Sequence, residues 1–195
     1  MATILTFVKN VGGAVNVYAL DSYPGGFSCT NINTGFNLVR NYYQWFQNYS
    51  YTQPEYLAEF EAGYFTPWGG SFYDDCAAEH DPAFADVYYK NNIAQRTTLL
   101  SLYMAWGGTN WGHCKYIYSS SLHLLKSVAA APVVYTSYDY SAPLRETRQI
   151  QDKFYQTKLI SLFTRVSTDL LKTDMIGNGT GYAVSPGTIR PCILS

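Results

Sequence analysis

The chain has 195 residues, 47% of them hydrophobic and 14% charged, with a formal net charge of −1. That length can bury one sizeable core, and so small a charge gives no electrostatic pull toward nucleic acid or an acidic lipid surface. No apolar run approaches the roughly 18 residues needed to span a membrane, and "MATILTFVKNVGGAV" lacks the basic-then-apolar pattern of a signal peptide, so neither a span nor an export signal is expected in the sequence as written.

Taken in chain order, "AVNVYAL" is a short apolar, β-branched run that leads into "DSYPGG", the pattern of a strand ending in a turn. "LVRNYYQWFQNY" has the apolar spacing of a helix. "YLAEF" is the next short buried strand. In "DPAFADVYYKNNIAQ", Asp81 is placed as an N-cap and Pro82 at the first helical position, where its missing N–H costs nothing. "TLLSLYMAW" predicts a third strand running into the "GGTNWG" loop. "LRETRQIQDKFYQTKLISLFTRV" is the longest amphipathic pattern, with Ile150, Phe154, Leu159, Leu162 and Phe163 available for one apolar face. From about Thr168 the glycines at 177, 179, 181 and 187 suggest exit into loops or a separate β element.

Strand alternating with helix predicts βαβ units and a parallel sheet, hence an α/β fold. A barrel and an open doubly wound sheet both fit. No GxGxxG fingerprint follows a strand, which removes the usual support for a nucleotide site, and part of a barrel is favoured.

In a parallel barrel the loops at the C-terminal strand ends converge, and a charged residue there is more often functional than structural. Glu59 stands at such an end, as a catalytic carboxylate or as one arm of a salt bridge. Asp21, Ser22 and Tyr23 follow the first strand and Thr109, Asn110 and Trp111 the third, so the three loops could line one pocket. With 19 Tyr, 10 Phe and 4 Trp, the chain has rings to lie on the C–H faces of sugars and hydroxyls to bond theirs, although on composition alone an aromatic-rich core is the better explanation. A carboxylate among such rings suggests glycoside hydrolysis. His80, His113 and His123 lack HExxH spacing, the cysteines form no CxxC pair and no GxSxG elbow is present, so a metal site and serine-hydrolase chemistry lack support.

Four stretches in order, "LAEFEAGYFTPWGG", "YKNN", "LYMAWGGTNWG" and "YTSYDYSAPLRE", give the chain its resemblance to the β-galactosidases of glycoside hydrolase family 35, particularly the fungal secreted ones, over about residues 14 to 183. The resemblance implies a β/α barrel of eight strands followed by β-rich domains, here entered just before the sixth strand, so that residues 1–167 would be a partial catalytic barrel and 168–195 the start of a following domain or tail. It implies retaining cleavage of terminal β-galactosides with no cofactor, Glu59 as the nucleophile and Tyr23 and Tyr140 lining the galactose site. It also implies a disulfide between Cys29 and Cys76, closing a loop of roughly fifty residues and stabilising the fold by on the order of 3–4 kcal/mol. That bridge, with the "NYS" sequon at Asn48 and the "NGT" sequon at Asn178, points to an extracellular protein.

Three departures from the family bear on activity. The acid/base glutamate follows the fourth strand in the family and is absent here; Glu61 is too close in sequence to Glu59 to be an easy substitute, and Asp139 and Glu79 are conceivable but unmotivated ones. Residues 113–134 separate "TNWG" from "YTSYDYSAPL" where the family has a short loop, and "YSSSLHLLKS" reads as inserted there, as translated non-coding sequence would be. "EAG" at 61–63 stands where the family has a glycine pair, so Ala62 is expected to restrict the backbone slightly. The expected function is therefore that of a β-galactosidase piece holding the nucleophile, weakly active or inactive by itself. The alternatives are a non-catalytic galactoside-binding remnant and an inert fragment. The first strand would lack a neighbour, an apolar edge that favours self-association.

Overall fold

The computed structural model describes residues 17–24, 37–49, 51–63, 72–76, 81–110, 137–178 and 192–194. Three strands, β1 (Leu20–Ser22), β2 (Tyr56–Glu61) and β3 (Leu99–Tyr103), form one parallel sheet in the order β1-β2-β3. Helix α1 (Tyr42–Tyr49) lies in the connection from β1 to β2 and α2 (Pro82–Ala94) in that from β2 to β3. Parallel neighbours need such crossovers, and the alternation read from the sequence is the one observed. The mixed α/β class is thus present among the described residues. The first strand is shorter and later than "AVNVYAL" suggested: Val17–Ala19 lie outside it, and β1 runs where Leu20 meets Leu57, Asp21 meets Glu59 and Ser22 meets Phe60.

Helix α2 starts as expected, with Asp81 accepting a bond from the Ala83 N–H at 2.7 Å and Pro82 next to the cap. Its end also secures α1. The buried Gln95 side chain accepts from the Tyr42 N–H at 2.9 Å and donates to the Val39 carbonyl at 2.7 Å, so backbone groups at the start of α1 find partners 53 and 56 residues away. Between sheet and helices, Leu57, Phe60, Tyr42, Ala85, Tyr88, Tyr89 and Ile160 form the core, and the Phe60 ring meets Tyr88 and Tyr89 edge-on at 5.9 and 6.1 Å. Much of the aromatic content is therefore structural.

Helix α3 (Asp152–Val166) corrects one expectation. It buries Lys153 and Ile160, while Ile150, Leu159, Leu162 and Phe163 are exposed and Phe154 is half-buried. The face docked on α2 carries Lys153, Gln156 and Ile160, held by a bond from Gln156 to Asp86 and by the Ile160 contact with the core. The wide apolar stripe at 159, 162, 163 and 166 points away from the sheet. Outer strand β3 is likewise less buried than a continuous apolar run predicts, with Leu99 45% exposed.

Two short antiparallel pairs complete the described architecture: β4 (Gly108–Thr109) with β5 (Ser137–Tyr138), and β6 (Met175–Asn178) with β7 (Cys192–Leu194). The second agrees with a β element after the long helix. Residues 113–134, the three histidines, Glu79, Trp111 and Cys29 lie outside the described residues. Among the described residues, no helix is long and apolar enough to cross a membrane and no group of three or more His, Cys, Asp or Glu could hold a metal ion.

Candidate active site

Glu59 is the fourth residue of β2, half-buried, and stands in register with Asp21 of β1. The register of β2 shifts between Leu57 and Phe60, and both of these residues enter the core, so Glu59 falls at the irregularity and not within an unbroken alternation. The Tyr23 hydroxyl, just past the end of β1, donates to Glu59 Oε2 at 2.7 Å. Burial first, and then this bond and the Glu59 charge, push the Tyr23 phenol well above its ordinary range, so it stays a proton donor. Burial and then Glu59 also raise the Asp21 carboxyl.

Around Tyr23 the rings form a continuous cluster. Tyr103, the last residue of β3, meets Tyr23 edge-on at 5.8 Å and Tyr140 at 5.3 Å, and its hydroxyl lies 2.9 Å from that of Tyr138. Tyr138 and Tyr140 pack ring to ring at 5.5 Å. Burial, followed by neighbouring phenols, keeps Tyr140 protonated far into the alkaline range. The result is one carboxylate beside four phenols from three separate segments, with C–H faces and hydroxyls suited to a polyhydroxylated neutral ligand.

The structure brings Glu59, Tyr23 and Tyr140 into one linked group. Tyr103 and Tyr138 were missed, although both lie inside quoted motifs, and the spacing of Tyr138 and Tyr140 on either side of Asp139 was the available signal. Two residues expected to face the same pocket, and Asp139, weighed as a substitute acid/base, have other partners. Ser22 is buried against the Tyr42 hydroxyl, Thr109 bonds the Glu146 carboxylate, and Asp139 braces a loop. Its Oδ2 accepts from Arg145 Nε at 3.1 Å and from the Glu146 N–H at 3.0 Å, and Arg145 also pairs with Asp74. That network ties the 137–146 loop to the turn at Tyr73–Asp75.

Glu61 is 4% exposed, and neither carboxylate oxygen has a hydrogen-bond partner among the described residues. Burial pushes its carboxyl up to about 8, partly opposed by the charge of Lys153. A lone buried carboxylate is costly, and the neutral acid is the form this site favours. Cys76 is fully buried and disulfide-bonded to a partner outside the described side chains. Asn48 is exposed near the end of α1, and Asn178 ends β6. A separate groove lined by Ile93, Leu100, Leu102, Ile160, Leu170 and Leu171 opens between α2, β3 and α3, and it includes neither Glu59 nor the clustered tyrosines.

Comparison with known proteins covers most of this arrangement. The model of the glycosyl hydrolases family 35 matches residues 5–163. The chain is 75% identical over 189 residues to a probable beta-galactosidase C of Sclerotinia sclerotiorum, a match covering 97% of this chain and 18% of that protein. It is 71% identical over 174 residues to the probable beta-galactosidase C of Talaromyces marneffei and 70% over 177 residues to that of Aspergillus flavus, covering 89% and 91% of this chain and 16% of each relative. The chain thus spans under a fifth of the length of the curated relatives it matches.

Proposed function

The chain belongs to the glycosyl hydrolases family 35, and from that premise we propose that it carries the nucleophile part of a retaining β-galactosidase site acting on terminal, non-reducing β-D-galactosides. The hydrogen bond from Tyr23 to Glu59, at the head of the tyrosine cluster, is the observation that carries this reading. Glu59 would attack the anomeric carbon and form a galactosyl ester, while Tyr23 holds the carboxylate by one oxygen and leaves the other to the sugar. Tyr23 and Tyr140 would line the galactose, with no cofactor required.

Retention needs a second carboxyl about 5–5.5 Å from the nucleophile to protonate the leaving oxygen. Asp139 is committed to Arg145 and to the Glu146 N–H, and Glu61 is buried beside the charge of Lys153. The proposal therefore leaves the acid/base glutamate outside this chain, which by itself turns over weakly or not at all. The four-tyrosine cluster favours one alternative, a galactoside-binding remnant without chemistry.

The remaining parts of the proposal follow from the family. The β1-β2-β3 sheet with its helices corresponds to about the sixth to eighth strands of the barrel, within residues 1–167, and residues 168–195 begin a following region. Cys76 pairs with Cys29, Asn48 and Asn178 carry glycans, and the protein works outside the cell. Among the described residues β1 and β3 are the outer strands of the sheet, and pairing with a second copy is the expected fate of the isolated chain.

Hydrolysis of a chromogenic aryl β-galactoside by the purified chain, with Glu59→Gln prepared in parallel, tests the proposal. Turnover lost in the variant supports the nucleophile. Equal, negligible rates with galactose binding that survives the substitution support the remnant. Turnover that persists undiminished in Glu59→Gln refutes the role of Glu59.

A further inference from the structure

We propose that Lys153 of α3 is a positioning residue for the Glu59 site, acting through the Ala62–Gly63 turn on which Tyr140 rests. The inference depends on reading Glu59 and Tyr140 as site residues. It starts from a lysine that no part of the proposed chemistry uses: Lys153 is 2% exposed, yet its ammonium lies in the interior and donates to the Ala62 carbonyl, 91 residues away in the chain. A buried ammonium is tolerated only where hydrogen bonds within the protein replace those of water, so its position is specified by the groups it meets.

Those groups belong to the end of the strand that bears Glu59. Ala62 is the first residue after β2, and its neighbour Gly63 is pressed against Tyr140: a Cβ placed on Gly63 would stand 1.7 Å from the Tyr140 carbonyl oxygen and 3.2 Å from its ring. Tyr140 and Ser141 take left-handed backbone conformations, with φ of 61° and 49°. Such conformations are strained for residues that carry a Cβ and persist only where surrounding structure imposes them. Gly63, in the turn at 62–63, is the surface that Tyr140 rests on. From Tyr140 the contacts continue through Tyr103 to Tyr23 and so to Glu59.

Lysine suits this task because its long stem reaches from the first turn of α3 to the strand end and delivers a donor there. The charge of Lys153 acts on Glu61 of β2, and Glu61 in turn acts on Tyr42 of α1, on Tyr88 and Tyr89 of α2, and on Tyr140. Methionine at 153 would keep the bulk and lose the donor, freeing the turn from α3 without emptying the space.

The test uses the full chain, its Lys153→Met and Lys153→Arg variants, and Lys158→Met as a control on an exposed lysine of the same helix. Far-UV circular dichroism checks folding, the near-UV tyrosine band reports the packing of the ring cluster, and titration with galactose reads the site. Lys153→Met is expected to keep the far-UV spectrum, lose much of the tyrosine band and bind galactose about tenfold or more weaker. Lys153→Arg, which restores a donor, should recover both, and Lys158→Met should change neither. Should Lys153→Met be unfolded in buffer, trimethylamine N-oxide refolds it and the same two readings decide. A folded Lys153→Met with the parental tyrosine band and galactose affinity overturns the proposal. Failure of the parent itself to bind galactose refutes the galactose-site reading instead, and the tyrosine band still decides the role of Lys153.

Discussion

Glu61→Gln should make the protein more stable at neutral pH and leave it unimproved in acid. The carboxyl of Glu61 is raised by burial from its ordinary 4.5 to about 8. The folded state therefore holds a proton that the unfolded state releases between those two values, and stability falls as pH climbs through this window. At pH 7, 2.5 pH steps above 4.5 at about 1.36 kcal/mol each, the expected loss is about 3 kcal/mol. Glutamine does not titrate, but its amide brings two N–H donors, where the neutral acid has one O–H, into a site where neither Glu61 oxygen has a partner among the described residues, at an extra cost of about 1–2 kcal/mol at every pH. The two stability curves should therefore cross near pH 5.5–6, with the variant slightly weaker below and about 1–2 kcal/mol stronger at pH 7. Glu55, also raised by burial to about 8, acts in the same direction but is shared by both proteins and cancels in the difference. Urea unfolding at pH 4.5, 6 and 7 measures this directly. Curves that run parallel across the range would show that Glu61 does not carry a raised carboxyl, and the account of its environment would be wrong.

Other perturbations address the framework around the site. Gly63→Ala places a Cβ against the backbone of Tyr140, which cannot swing aside as a side chain would, and should cost more than about 4 kcal/mol, read as loss of cooperative thermal unfolding. Tyr103→Phe removes the 2.9 Å hydroxyl pair with Tyr138 and should cost about 1 kcal/mol, while Tyr103→Leu also loses the ring contacts to Tyr23 and Tyr140 and should cost about 2–3 kcal/mol by denaturant midpoint. Arg145→Ala leaves the buried Asp139 without its cation and should cost about 2–3 kcal/mol, part of which Asp139→Asn in the same chain restores in a double-mutant cycle.

What the residues decide by themselves is local. Asp81 and Pro82 announce the start of α2 because a cap and a fixed φ act within one turn of backbone, and short apolar runs alternating with longer periodic ones specify β1, β2 and β3 with their crossover helices. A carboxylate at Glu59 within the second strand, with a tyrosine after the first, was legible for the same reason, although β2 runs two residues beyond Glu59 and does not end there. Tertiary packing decided the rest. Which face of α3 is buried could not be read, because Leu159, Leu162 and Phe163 offer as good a stripe as the one chosen, and the choice fell to Ile160, Gln156 and a lysine whose partner is 91 residues away. The bond from Tyr23 to Glu59 joins residues 36 apart, and the start of α1 takes its hydrogen bonds from Gln95. Local sequence sets periodicity and backbone dihedrals. A pairing across the sheet, and the protonation of a carboxyl such as Glu61, depend on how much water the assembled layers exclude.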